Sequence, residues 1–350
     1  MRHGGDIYRN KVNMDFSVNL NPTGTPEEML NAVREALKDA SLYPDIKQEK
    51  VRKAIAEYAG TSQEYVYAGN GAAELIMAVV RAVRPGKAVI FAPSFSGYEH
   101  ALNAFECKTV KHVLKEDNGF ELTREDLRVL DKDTDMVFIC DPVNPTGRSI
   151  PEEIMGGILK KAVENDMAVC IDESFMLMSD KALEPRRIDY AGVIKKYDRL
   201  YVVRSLTKFF AMPGIRMGYV LSSPEGIEKL RAQLPEWNLP VTAEAAIIEG
   251  IKLIKDTDIV RRSSEVIKQE REYLEGELKN LGLKVFDSST SFILCKGPGM
   301  LYEKLLERGV LIRDCSEDPG LGCGFYRIAV KDHESNVKLS AIIGEILDKN

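Results

Sequence analysis

Between residues 61 and 225, short runs of consecutive apolar residues alternate with longer amphipathic stretches. The runs at 88–91, 136–140, 167–171 and 200–203 show no polar alternation, which is the pattern of strands buried on both faces. The stretches between them, such as 151–164, repeat their apolar residues at helical spacing. A chain with that alternation can bury its strands only by laying helices on both sides of a mostly parallel sheet. In open sheets of this kind, ligands bind at the C-terminal ends of the strands.

Several of the runs lead into residues able to do chemistry. The run at 136–140 leads into the turn-rich Asn144, Pro145, Thr146 and Gly147, and the run at 167–171 is followed by Asp172. A strand-end aspartate is otherwise most often a helix cap or turn former. Between Asp172 and Lys208 there is room for a helix and one further parallel strand, and Ser205, Thr207 and Lys208 follow that strand, with Arg216 eight residues on. Upstream, Gly69 and Gly71 precede an apolar-periodic helix at 75–83. Glycines at that position let backbone N–H groups approach a phosphate at the positive end of a helix.

The remainder of the chain reads as a second, smaller unit. A long charged helix at 258–279 follows the Leu239–Pro240 turn, and short strands at 283–286, 291–295, 310–313 and 325–330 lead to a helix at 334–347. At 350 residues the chain exceeds one typical domain, so two lobes are expected. A net charge of −6 argues against nucleic acid as the main partner. The cysteines at 107, 140, 170, 295, 315 and 323 lack Cys-x-x-Cys spacing, and the histidines at 3, 100, 112 and 333 form no ligand cluster. Reduced thiols and no metal site are expected. With no apolar stretch of ~18–20 residues and no signal-peptide h-region, a cytoplasmic location without membrane contact is expected.

Taken in order, these motifs resemble those of the fold-type I pyridoxal phosphate (PLP) enzymes, the aspartate aminotransferase superfamily. The resemblance implies an α/β fold like that of aspartate aminotransferase. It divides the chain into an N-terminal arm and helix at 1–40 packing with the small domain, a large mostly parallel-sheet domain at 41–245, and a smaller α/β domain at 246–350. It also implies PLP as cofactor and assigns its ligands. Lys208 would hold the PLP aldehyde covalently, and Asp172 would keep the ring nitrogen protonated so that the ring accepts electrons. Asn144 would donate to the 3′-oxygen, and Phe95 would stack on the ring. Gly71, Ala72, Ala73, Ser205 and Arg216 would hold the phosphate. Tyr43 would reach across a homodimer interface to the partner's PLP phosphate.

Within the superfamily, residues 2–7, 15–24, 43–45, 204–219, 310–321 and 325–330 are similar to the threonine-phosphate decarboxylases, which make aminopropanol phosphate for the cobalamin side chain. The histidinol-phosphate aminotransferases share the fold, Tyr43, Pro44, Asp45 and the cofactor motifs. Phe175, where aminotransferases usually carry tyrosine, and the start at His3, Gly4 and Gly5 favour the decarboxylases. The resemblance then implies a small phosphorylated amino acid as substrate. Arg327 would bind its carboxylate and Arg313 its phosphate, with His3, Gly4 and Asn21 closing over it and Asn144 also contacting the substrate.

Overall fold

The computed structural model describes residues 4–184 and 189–348. Its strands, in chain order, are β1 (Met14–Asp15), β2 (Val66–Gly69), β3 (Lys87–Ala92), β4 (Lys108–Val113), β5 (Met136–Cys140), β6 (Ala168–Asp172), β7 (Leu200–Ser205) and β8 (Gly218–Leu221). After these come β9 (Lys284–Val285), β10 (Phe292–Lys296), β11 (Val310–Leu311), β12 (Arg313–Asp314) and β13 (Phe325–Ala329). A seven-stranded sheet has the order β2-β8-β7-β6-β5-β3-β4. From β7 through β4 its neighbours are parallel, whereas β8 runs antiparallel to β2 and β7. In this sheet the strands absent from the sequence reading are β2, β4 and β8, and outside it β1. β4 is an edge strand with alternating partial exposure, so its sequence never shows a continuous apolar run.

Helices are α1 (Glu27–Ala36), α2 (Glu49–Ala59), α3 (Ala72–Val83), α4 (Ser96–Asn103), α5 (Glu152–Asn165) and α6 (Tyr190–Val193). They continue with α7 (Pro224–Arg231), α8 (Val241–Asp256), α9 (Ile259–Asn280), α10 (Leu301–Glu307) and α11 (His333–Leu347). Because side chains alternate across a strand, β6 feeds two cores at once. Ala168 and Cys170 join Leu75, Leu102 and Ile227 of α3, α4 and α7, while Val169 and Ile171 join Val51, Ile158 and Ile247 of α2, α5 and α8. Each such buried aliphatic contributes on the order of 1.5–3 kcal/mol relative to exposure.

A four-stranded antiparallel sheet, β12-β13-β10-β9, builds the second unit with α9, α10 and α11, around Leu274, Ile293, Leu301, Tyr326 and Leu339. The expected strand at 310–313 is two strands in different sheets, since β11 pairs with β1 and β12 with β13. The N-terminal arm is thereby sewn to the second unit. α1 lies along α8, and α8 runs through the expected boundary at 245/246. Among the described residues, no helix is long and apolar enough to cross a membrane.

Candidate active site

The C-terminal ends of the parallel strands and the strands β12 and β13 enclose a cavity of about 270 Å3. Asp172, the last residue of β6, is buried at its wall. Its carboxylate accepts from the Tyr98 hydroxyl at 2.8 Å and from the amide and hydroxyl of Ser174 at 2.9 and 2.5 Å. All three donors are neutral. Burial therefore pushes the Asp172 carboxyl up despite them, and a cation in the cavity would relieve it.

Lys208 lies in the loop between β7 and the antiparallel β8 and lines the same cavity. Burial, with Arg327 and Arg216 nearby, lowers its ammonium to about 8. A substantial neutral fraction at pH 7–8 makes Lys208 a nucleophile towards a carbonyl. Its carbonyl accepts from the Asn21 amide at 3.0 Å.

An anion cup lies beside it. Gly71 precedes α3 with φ +85°, and a Cβ there would stand 2.5 Å from Arg216 Nη2, so only glycine allows the guanidinium to close over the helix start. Ala72 and Ala73, in the first turn, line the cavity with backbone N–H groups that the helix leaves free. Ser205 and Thr207 add hydroxyls, bonded to one another at 2.7 Å. Arg216 donates to the carbonyls of Pro213 and Asn70, not to a carboxylate, so its charge is left for a ligand.

Opposite the cup, Arg313 and Arg327 are direct cross-strand partners on β12 and β13. Like charges so placed repel and require partners. Arg327 donates to Asn144 Oδ1 and to the Ser17 carbonyl, both at 2.6 Å, and lies over the Phe292 ring. Because Asn144 accepts through its oxygen, its amide NH2 is directed away from Arg327. Arg313 Nη2 donates to Asp318 at 3.1 Å. Among the described residues, each arginine also keeps one buried N–H group without a partner, Nη1 of Arg313 and Nε of Arg327.

Of the residues expected from sequence, Gly4, Ala72, Ala73, Phe95, Asn144, Asp172, Ser205, Lys208, Arg216, Arg313 and Arg327 line the cavity. Phe95 stands edge-on to Tyr98 at 5.4 Å, and Phe175, also on the wall, packs edge-on against Phe292 at 5.0 Å. Gly4 lies against Ser17, where a Cβ would come within 2.3 Å of the carbonyl oxygen. His3 lies outside the described residues. Tyr43 is exposed and packs on Trp237 with ring centroids 4.9 Å apart.

Asn21 requires a correction. Its amide donates to the Phe209 carbonyl and to Ser263 Oγ of α9, both at 2.9 Å, so it fastens the Lys208 loop and does not line the cavity. Asn19 lines it instead, with its buried Oδ1 free of any partner. An i to i+2 hydrogen bond from Leu20 N–H to the Val18 carbonyl turns the chain between the two asparagines. The sequence reading did not single out Asp318 on the cavity wall or Tyr98 beneath Asp172. Asp318 sits inside the segment 310–321, and that proximity was the available signal.

Fold and cavity together are those of an α/β enzyme that holds a phosphorylated carbonyl cofactor on a lysine. The sequence model of aminotransferase class I and II matches residues 11–342, and the chain belongs to this family. It is 39% identical over 344 residues to a "Putative threonine-phosphate decarboxylase" of Caldanaerobacter subterraneus subsp. tengcongensis, covering 96% of this chain and 91% of that one. It is 29% identical over 339 residues to the threonine-phosphate decarboxylase of Salmonella typhimurium, covering 95% and 91%. Among solved structures it resembles the histidinol-phosphate aminotransferase from Clostridium acetobutylicum, with a TM-score of 0.87 and 32% identity over 96% of this chain and all of that one.

The cofactor of this family is PLP, and the residues present fit it. The uncompensated Asp172 carboxylate suits a protonated ring nitrogen, the α3 start with Arg216 suits a phosphate, and Lys208 faces the space between them.

Proposed function

We propose that this enzyme removes CO2 from L-threonine O-3-phosphate, giving aminopropanol phosphate for cobalamin biosynthesis. The observation that carries the reading is the arginine pair on β12 and β13. Two guanidinium groups face one cavity side by side, each with an unused buried N–H group, and suit a substrate with two anionic ends. The similarity to two proteins named threonine-phosphate decarboxylase supports it.

PLP bound at Lys208 supplies an electron sink for the bond broken at the substrate α-carbon. Asp172 keeps a proton on the ring nitrogen. Arg327, braced by Asn144 and the Ser17 carbonyl, grips the carboxylate and sets the angle from which it leaves. Arg313 grips the phosphate, and Asn19 reaches the same space from the N-terminal arm. Phe175, packed against Phe292, gives the cavity wall an apolar face. Lys208 Nζ, on the same cavity wall, would deliver the proton that replaces CO2 on that carbon.

Amino transfer to or from histidinol phosphate is the second reading, supported by the 32% identity to a histidinol-phosphate aminotransferase. Incubating the holoenzyme with threonine phosphate and no keto acid separates the two. CO2 and aminopropanol phosphate in equal amounts are expected. Turnover only with histidinol phosphate plus 2-oxoglutarate would replace this reading with the second.

The proposal includes a cytoplasmic homodimer whose subunits divide at 40 and 245, with Tyr43 of each completing the other's phosphate cup. Tyr43 is 80% exposed and Trp237, on which it packs, 44% exposed. Exposed aromatics grouped with Leu42 and Ile46 suit burial by a second copy.

A further inference from the structure

Asp318 is an unexpected neighbour for a residue that grips phosphate. It is buried, lines the cavity, and accepts from Arg313 Nη2 at 3.1 Å, while Arg313 Nη1 is buried and unpartnered. The pair has no net charge before any ligand arrives. A phosphate monoester at neutral pH carries a charge of about −1.5 to −2. Set against Arg313, it would share one guanidinium with a carboxylate, and two groups that only accept hydrogen bonds would face each other. A proton placed between them turns that repulsion into a hydrogen bond.

The surroundings favour such a proton. Arg313 of β12 and Arg327 of β13 stand near Asp318, the Cys315 side chain is hydrogen-bonded to it, and the charge of Asp314 acts on it against the two arginines. Glu99 and Lys111 line the shallow cleft that Asp318 shares on its other side, but they are joined to each other at 2.6 Å. Burial pushes the Asp318 carboxyl up, against the pull of Arg313. The second ionisation of a phosphate monoester lies near 6, so carboxyl and phosphate are both able to hold the proton.

We propose that Asp318 makes phosphate recognition proton-linked: one proton is taken up as substrate binds and is shared between the Asp318 carboxyl and a phosphate oxygen. The site then takes the phosphate as a singly charged, hydrogen-bonded group and turns away the dianion as pH rises. This inference rests on the reading of Arg313 as the phosphate grip.

The test is the ratio of kcat/KM for threonine phosphate to kcat/KM for threonine, measured with holoenzyme from pH 6 to 9. Taking the ratio largely cancels the titration of Lys208 and of the substrate amine. Above pH 7 the wild-type ratio should fall, approaching about tenfold per pH unit, because one proton is bound with the phosphate. In Asp318→Asn the neutral amide donates to the dianion, so the ratio should stay level from pH 7 to 9 and exceed the wild-type ratio at pH 9. Asp318→Ser, smaller and neutral, should also level the ratio and serves if the asparagine variant folds poorly. A level wild-type ratio that still favours the phosphorylated substrate would overturn the proposal and leave the phosphate grip standing. Equal slopes in wild type and variant would also overturn it, as would a variant ratio below wild type at every pH, which would mark Asp318 as a strut for Arg313. A wild-type ratio near one throughout would instead sink the reading of Arg313, and this inference with it.

Discussion

At the scale of the residue, the site is a set of charges whose partners, Asp318 beside Arg313 apart, are neutral. Lys208 is the clearest case, because burial and two neighbouring guanidinium groups all favour its uncharged form. In cofactor-free protein its acylation rate, followed by peptide mass spectrometry, should climb with pH and reach half its plateau near pH 8. Removing one cation with Arg327→Ala should move that midpoint upward, and an unmoved midpoint would leave burial as the whole cause. Arg313→Ala should raise KM for threonine phosphate by about 10–100-fold, roughly 1.4–3 kcal/mol for a charge-assisted contact, with kcat less affected. Steady-state kinetics with and without the substrate phosphate measure this, and an intact phosphate preference would place the grip elsewhere. Asp172, Lys208 and Arg216 were legible because each stands at a strand end or in a motif of fixed spacing, whereas Arg313 and Arg327 were pointed to only by the family resemblance. Asp318 was not, because only the folded loop after β12 turns it back onto Arg313.

At the scale of the element, the N-terminal arm does two jobs two residues apart. Asn19 faces the cavity and Asn21 holds the Lys208 loop to α9. Asn21→Ala should therefore cost about 1–3 kcal/mol of stability by stripping a buried carbonyl and hydroxyl of their partner, with little change in phosphate preference. Asn19→Ala should do the reverse, raising KM by about 5–30-fold for the loss of one hydrogen bond while melting near the wild-type temperature. Thermal melts beside kinetics decide it, and an exchanged pair of phenotypes would reverse the two assignments. Spacing alone could not choose between the asparagines. An extended segment would point both the same way, and only the tight turn at Val18–Leu20 separates them.

At the scale of the whole molecule, the unfinished part is the surface around Tyr43 and Trp237. Sedimentation should show a dimer at assay concentration, and Tyr43→Ala should weaken cofactor retention during dialysis without unfolding the subunit. A fully active monomer would remove that claim. The sequence by itself determined the parallel core of the large unit, β3, β5, β6 and β7, because strands buried on both faces must be continuously apolar and their connecting helices must carry one apolar stripe. Strand ends and glycine turns are local features, so Asp172, the Gly71 turn and the Lys208 segment were also visible in it. It did not reveal the edge strand β4, whose half-exposed residues need no apolar run, nor the division of 310–314 between two sheets. Tertiary structure alone decided which arginine stands opposite which, which asparagine enters the cavity, and that a carboxylate sits beside Arg313. Those facts depend on contacts between segments far apart in the chain or folded back by a turn, where residue spacing carries no information.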